Sequence, residues 1–600
     1  MPLIAGALLK QNSCTSFLTS ELLNTTTSKI SSDKLVFNNT KQGLTLIAGK
    51  RASESSAEKV ITSSQGSGIV LGRLFNKSSG TLVEHIEERE LQAIRESQGK
   101  WLGERYWGRY LLVLRDEDDA SITIYRDPLG GIPLFVTRIP EGVLFSSELP
   151  LLYDILKEKP AFDWTYLTSY VAASSVLTTS TPFQGIEEVF PGSYVSISTE
   201  EYITGLFWDP TFISSKEYKE KELEEHIIET FSSCIRAWAQ ETESIALELS
   251  GGLDSSALLI LMKKVVPSTV NIICFNYFHP HVASSDERNY AAEVAQECNV
   301  ELLCIDQSKA LPLSMFPAHK SNKPSSFLLN EALNKAITSV AIKKNNYEFM
   351  SGQGGDHLFL APPLVESLGD YFLAKGIRGI GAKIGEISAY YRTPFFNTIG
   401  QSLKALFAYY RSKTDHVLAN TEIEEWMNAS FLAYIDPTIH QAPFWKRLQQ
   451  VYPAKARHIY DIYNALLYTD QGYRIEGKSV INPFLSQPFV ELVLSIPTYE
   501  LYKKEHDRSP FRNAMGKISQ AQSIWRKDKG ETTGITIFAL NSNYKYICEL
   551  LLEGKFARHN LINKDKLYDH LNHSKNGKSF NLWPLMNLIS VELWFESWNL

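Results

Sequence analysis

The sequence predicts an α/β chain of two domains, and three observations predict it. The residue pattern changes near position 210, a strand, phosphate loop and helix run together at residues 246–260, and a second loop of the same character follows at 349–359. Residues 1 to about 210 carry short β-type runs such as 110–114 and 121–125. These are joined across Asp116-Glu-Asp-Asp119, an acidic cluster that reads as a hairpin turn. Ser-rich residues 52–68 read as a loop. From about 220, longer helical segments alternate with buried strands, as at Asn271 to Tyr277 and Glu301 to Ile305. That alternation predicts a parallel sheet flanked by helices, and the domains drawn from it are 1–210 and 211–600.

Composition removes several function classes. With 600 residues and 44% apolar side chains the chain buries a large core and is not disordered. A formal charge of −7, without a basic stripe interleaved with aromatics, gives no support for a nucleic-acid partner. Six cysteines, at 14, 234, 274, 298, 304 and 548, show neither Cys-x-x-Cys spacing nor clustering with His, so zinc is not expected and a reducing compartment fits. No basic and apolar leader opens the chain and no apolar run nears the roughly 18 to 20 residues that span a bilayer. A cytoplasmic protein with no membrane partner is the expectation.

The run Ala246-Leu-Glu-Leu-Ser-Gly-Gly-Leu-Asp-Ser-Ser-Ala-Leu-Leu-Ile260 carries the chemistry. Leu247 and Leu249 end a strand, Gly251 and Gly252 remove side chains that would block a phosphate, and Leu253, Asp254, Ser255 and Ser256 open a helix after Ser250. Backbone N–H groups and the positive end of the helix dipole then face an anion. The second loop, Ser351-Gly352-Gln353-Gly354-Gly355-Asp356, again follows an apolar approach. Because ligands gather outside the carboxyl ends of parallel strands, this loop is expected to bring Asp356 opposite Asp254. Paired carboxylates beside a triphosphate suit Mg²⁺, a hard cation that shares phosphate oxygens.

Ser-Gly-Gly-x-Asp-Ser resembles the loop of the PP-loop ATP pyrophosphatases, which cleave ATP between the α and β phosphates, and lacks the Gly-Lys-Ser/Thr of a Walker A loop. Together with Asp286-Glu287 and Ser351 to Asp356 it resembles the synthetase domain of asparagine synthetase B and its relatives, among them the β-lactam synthetases and lasso peptide cyclases. The first two hundred residues resemble a class II glutamine amidotransferase domain, through Arg126-Asp-Pro-Leu-Gly-Gly-Ile-Pro-Leu-Phe135 and Phe145-Ser-Ser-Glu148. The resemblance implies an α+β domain of sandwiched antiparallel sheets followed by the parallel ATP pyrophosphatase sheet. It also implies ATP held by Leu249 to Ser256, Ser351 to Gly355 and the backbone near Phe275, with Mg²⁺ on Asp254 and Asp356.

One departure matters more than the matches. A working class II amidotransferase exposes Cys as its first residue, and here Pro2 stands there. Cys14 lies too far along to substitute and no glutamine-clamping Asn-Gly-Glu segment is visible, so a degenerate scaffold without glutaminase activity is expected. Amide formation would then use an amine that the substrate brings.

Pro483-Phe-Leu-Ser-Gln-Pro-Phe-Val-Glu491, with Gly477-Lys478 before it, resembles the lasso peptide cyclases rather than the asparagine synthetases. Arg508-Ser-Pro-Phe-Arg512 and Arg526-Lys-Asp-Lys-Gly530 resemble that family's closing segments. The resemblance implies Lys529 as the cation that stabilises the tetrahedral intermediate and Arg508 as a pyrophosphate-binding residue. Gln353 replaces the Glu of asparagine synthetases and the Tyr of β-lactam synthetases, so no Tyr-Glu base is evident; a peptide α-amine, with a reference pKa of about 7.7 to 8.0, needs one less. The implied substrate is a precursor core peptide, with a leader peptidase and a leader-binding protein as partners. Residues 360–450, with Tyr390-Tyr391-Arg392 and Tyr409-Tyr410-Arg411, would border the peptide, although such spacing also suits core. An ammonia-dependent asparagine synthetase, a β-lactam-type synthetase and a catalytically dead nucleotide-binding scaffold are the other readings.

Overall fold

The computed structural model describes residues 2–10, 15–30, 32–39, 43–50, 58–116, 121–173, 177–317, 319–342, 348–411, 422–436, 439, 442–469, 480–530, 533–575 and 582–600. Cys14, residues 52–57, the acidic residues 117–119 and Gly477-Lys478 lie outside these. The first twelve strands are β1 (Leu3–Leu9), β2 (Ser32–Asn39), β3 (Leu44–Lys50), β4 (Lys59–Thr62), β5 (Gly68–Asn76), β6 (Tyr106–Arg115), β7 (Ile122–Arg126), β8 (Phe135–Ile139), β9 (Gly142–Ser146), β10 (Ile186–Glu188), β11 (Ser193–Ile197) and β12 (Tyr202–Leu206). They form two six-stranded antiparallel sheets, in the orders β10-β8-β9-β1-β3-β2 and β12-β11-β7-β6-β5-β4.

The two-residue period of the strands decides how the sheets stack. In β6, Leu111 and Val113 point into the core between the sheets, where they meet Ile4, Leu8, Leu46 and Phe145. Tyr110, Leu112 and Leu114 point the other way, against Leu91 and Ile94 of the helix Glu88–Glu96. Leu3, Ala5, Ala7 and Leu9 of β1 likewise face outward, and the same apolar cluster takes in Leu585, Leu588 and Trp594 of the last helix, Trp583–Trp598. The chain thus returns at its end to close over its first domain.

The second domain holds β13 (Ser244–Glu248), β14 (Asn271–Phe278), β15 (Glu301–Asp306) and β16 (Glu348–Ser351), all parallel, in the order β15-β14-β13-β16. Ile245, Ala246 and Leu247 of β13 are wholly buried, as a strand covered on both faces requires. Register pairs Glu248 with Ser351, so the loops that follow β13 and β16 leave the sheet side by side. The expected parallel sheet and flanking helices are both present.

The domains meet through apolar and charged contacts. Trp107 of β6 packs edge-on against Trp238, with ring centroids 5.6 Å apart. Arg73 of β5 reaches Glu348 at the start of β16 at 2.9 Å and Glu58 at 3.1 Å, and Arg109 also bonds Glu58. Glu58 is wholly buried; burial opposes its ionisation, yet the two guanidinium groups hold its carboxyl below the usual range.

The candidate nucleotide site

Both glycine loops have the conformation their residues demand, but for a reason the sequence did not give. A Cβ on Gly355 would stand 2.5 Å from Asp254 Cγ, and one on Gly352 would stand 2.8 Å from Ser255 N. These glycines let the two loops touch each other. Gly251 and Gly354 adopt φ of +79° and +98°, the left-handed region that glycine occupies without strain. Among the five glycines of the two loops, Gly252 is the residue whose missing side chain leaves room on the open side, where a Cβ would meet only Ser250 Oγ, at 3.3 Å. The helix Leu253–Val265 starts directly after it.

Hydroxyls brace the first loop. Ser255 Oγ accepts from Ser250 N at 3.1 Å and lies 3.0 Å from Ser250 Oγ, which in turn accepts from Gly252 N at 3.2 Å. Ser256 is fully buried with its Oγ unpartnered. In the second loop Ser351 Oγ accepts from Gln353 N at 3.2 Å. Leu249 is buried between β14 contacts, donating its N–H to Phe275 O at 2.8 Å and accepting from Asn276 Nδ2 at 2.8 Å. Phe275 itself is packed in the core, one strand away from the loops.

Asp254 and Asp356 converge as expected, and a cation stands between them. Arg508 Nη1 donates to Asp254 Oδ1 and Oδ2 at 3.1 and 3.0 Å and to Asp356 Oδ1. Lys529 Nζ donates to Asp356 Oδ2 at 2.7 Å. Burial pushes the Asp254 carboxyl up to about 6 against the pull of Arg508. Burial also opposes ionisation of Asp356, but Arg508 and Lys529 outweigh it and hold that carboxyl below its usual range. Lys529 is held above the ordinary lysine value, the Asp356 carboxylate more than offsetting the cost of burying the charge.

Two carboxylates aimed at one cationic nitrogen make a donor set that fits a hard divalent cation. Among the described residues no group of three or more His, Cys, Asp or Glu side chains is placed to hold a metal. A cation at Asp254 and Asp356 would therefore complete its shell from phosphate oxygens and water.

The residues that hold Lys529 and Arg508 in place stood in the sequence only as parts of matching segments, without a role. Glu287 Oε1 accepts from Gly530 N at 2.9 Å and pairs with Arg526 Nη2 at 2.8 Å, while the Arg526 guanidinium lies 3.9 Å from the Tyr290 ring centroid and donates to Gly251 O at 3.3 Å. Asp507 pairs with Arg508 at 3.3 Å and with Arg512 at 2.8 Å. The spacing of Asp286-Glu287 from the first loop was the available signal for this clamp. Asp286 itself turns away, to Arg288 at 2.7 Å.

Beside the loops a cavity of about 470 Å³ is lined by Glu248, Ser351, Gln353, His357, Phe327 and Tyr468, among others. Gln353 therefore faces open volume next to the paired carboxylates. A model of the asparagine synthase family matches residues 226–596. The chain belongs to the asparagine synthase family. A glutamine amidotransferase domain model also matches residues 88–208.

Three curated relatives are similar to parts of the chain. Asparagine synthetase [glutamine-hydrolyzing] 2 of Bacillus subtilis is 26% identical over 25% of this chain and 22% of its own length, and the same organism's asparagine synthetase 1 is 24% identical over 33% and 30%. Microcin J25-processing protein McjC of Escherichia coli is 22% identical over 51% of this chain and 52% of its own. The chain thus spans between about a fifth and a half of the curated relatives it matches. Among solved structures, an allosteric regulatory enzyme of purine biosynthesis shares 11% identity over 53% of this chain and 82% of its own, with a TM-score of 0.22, too low to bear on the fold.

Other positions that bore on the choice within the asparagine synthase family have structural roles. Ser486 Oγ accepts from Trp238 Nε1 at 2.9 Å, and Gln487, 2% exposed, donates to Gly103 O of the first domain at 2.9 Å. The Ser-Gln-Pro segment is thus a contact between domains. Tyr409 OH donates to Leu448 O and Val451 O, and Tyr390 OH to Asp507 at 3.2 Å. His458 Nε2 lies 2.7 Å from Leu358 O and braces the turn that carries Asp356. Among the described residues no helix is long and apolar enough to cross a membrane.

Proposed function

We propose that this member of the asparagine synthase family closes a macrolactam in a lasso-type peptide, driven by ATP cleavage to AMP and pyrophosphate. The observation that carries the reading is the convergence of Asp254, Asp356, Arg508 and Lys529 on the loop whose Gln353 and His357 line a cavity. Support comes from the similarity to the microcin-processing protein over half of each chain.

ATP would lie against Ser250 to Ser256 and Ser351 to Gly355, with Asp254 and Asp356 as the residues that hold Mg²⁺. When bound, the metal would neutralise phosphate charge. An oxygen of a peptide Asp or Glu side chain attacks the α-phosphorus, and the bond to the β-phosphate oxygen breaks. Arg508, released from the carboxylates, would bind the departing pyrophosphate. The peptide's N-terminal amine then attacks the acyl carbon, and AMP leaves as the amide forms and the amine loses its proton. Lys529 stabilises the oxyanion of that step. A threaded product requires the site to hold the peptide folded and the adenylate dry. A leader peptidase and a leader-binding protein would supply the substrate in the cytoplasm, and the first domain would serve as scaffold without glutaminase activity.

The test is to incubate the full chain with ATP, Mg²⁺, a candidate core peptide and its processing partners, following peptide mass and AMP. Loss of one water from the peptide with equimolar AMP, abolished in Lys529→Ala, is the expected result. Pyrophosphate release triggered by aspartate or another small acid, and not by peptide, would replace this reading with a small-molecule amide synthetase.

A further inference from the structure

We propose that the cavity between the two domains is a second subsite, which holds the tail of the peptide substrate through its backbone carbonyl oxygens. The proposal rests on the peptide reading above and extends it to a part of the molecule remote from the chemistry. This inner chamber, of about 120 Å³, is lined by Arg126, Tyr170 and Phe190 from the first domain and by Asn322, Tyr463 and Leu467 from the second. It shares Ser326, Phe327 and Tyr468 with the 470 Å³ cavity beside Gln353, so the two lie next to each other across those residues, between the Gln353 loop and the domain interface.

Glu188 Oε2 in the chamber wall is paired with Lys323 Nζ, and three further polar atoms there are buried without a hydrogen-bond partner: Arg126 Nε, Asn322 Nδ2 and Tyr463 OH. Each belongs to a side chain that is at most 1% exposed. Buried polar groups are satisfied in nearly all folded proteins, so a cluster of three orphans lining one void calls for a ligand. Two of the orphans are pure donors and the hydroxyl is a third; the complement is a set of acceptors. An extended peptide offers one carbonyl acceptor per residue, and the tyrosine and phenylalanine wall suits the apolar side chains between them. The two cations in its wall, Arg126 and Lys323, are both paired with Glu188, which leaves no free positive charge for a phosphate. The reacting amine and carboxyl must sit near Lys529, so what reaches past Phe327 and Tyr468 is the remainder of the peptide, its tail.

The test uses a fluorescently labelled peptide of the tail sequence alone, titrated into the full chain without ATP, alongside steady-state cyclisation of full-length and tail-truncated core peptides. Tyr463→Phe removes one orphan hydroxyl without changing shape, and Leu177→Trp fills the chamber from the first domain. For Tyr463→Phe the tail-peptide Kd and the KM of the full-length substrate are expected to rise about five- to tenfold with melting temperature unchanged. Wild type and variant should handle the truncated peptide alike. Tail binding that is equal in wild type, Tyr463→Phe and a folded Leu177→Trp would overturn the subsite. Tail binding that is lost in both variants while no peptide yields AMP would keep the subsite and discard the macrolactam chemistry.

Discussion

Three glycine-rich loops of this chain carry an aspartate, and the one in the first domain uses it quite differently from the two in the second. Asp127, in the Arg126 to Gly131 loop, accepts from Leu129 N at 3.0 Å, Gly131 N at 2.9 Å and Tyr110 N at 3.4 Å. Its oxygens are spent on backbone beside it, and burial pushes its carboxyl up to about 6. Asp254 and Asp356 instead bind side-chain cations brought from residues 508 and 529. A carboxylate saturated by local N–H groups holds a turn, whereas one neutralised by side-chain charge can exchange that charge for a ligand's. Composition alone does not separate the two cases.

The largest effect that would sharpen this contrast is on catalysis. Lys529→Ala removes a cation that is 68% exposed by side chain and serves no core, so kcat for AMP formation should fall by about 10²- to 10³-fold with an unchanged circular dichroism spectrum. An equal loss of folded protein would place Lys529 with Asp127 as a structural residue.

Next is Arg508→Ala, which leaves Asp254 and Asp356 facing each other without their shared cation. Stability should drop by about 3 to 5 kcal/mol in metal-free buffer, read as a lower melting temperature. Mg²⁺ with ATP should recover more of that loss than it adds to wild type. No differential recovery would count against a divalent cation at these carboxylates.

A smaller effect belongs to Asp127. Its folded pKa of about 6 lies above the ordinary aspartate value of 3.8, so the folded state keeps a proton that the unfolded chain releases. This contribution favours folding below about pH 4 and is lost as pH rises through about 6, a change of about 2 to 3 kcal/mol. Asp127→Asn should remove that slope from the pH dependence of chemical denaturation while leaving AMP formation intact. A slope that persists in the variant would assign it elsewhere.

Much of the second domain was legible because its loops follow strands of the right period: β14 and β15 begin where the apolar runs at Asn271 and Glu301 do. The meeting of Asp254 and Asp356 was legible too, since parallel strands deliver their loops to one edge. What stayed hidden depends on contacts between distant segments. Gly352 and Gly355 serve loop against loop, Glu287 holds the 526–530 segment, and Gln487 serves the interface with residue 103. A local pattern gives the residue type needed and not the partner it will find.

The ion pair between Arg73 and Glu348 bears on how such a chain can evolve. Glu348 begins the strand that ends in the Asp356 loop, and its charge is neutralised from the other domain. A gene that discarded the first domain would leave that carboxylate, Trp238 and Gln487 uncovered at once. No single substitution repairs all three, so the second domain depends on the first for its surface whatever chemistry the first performs.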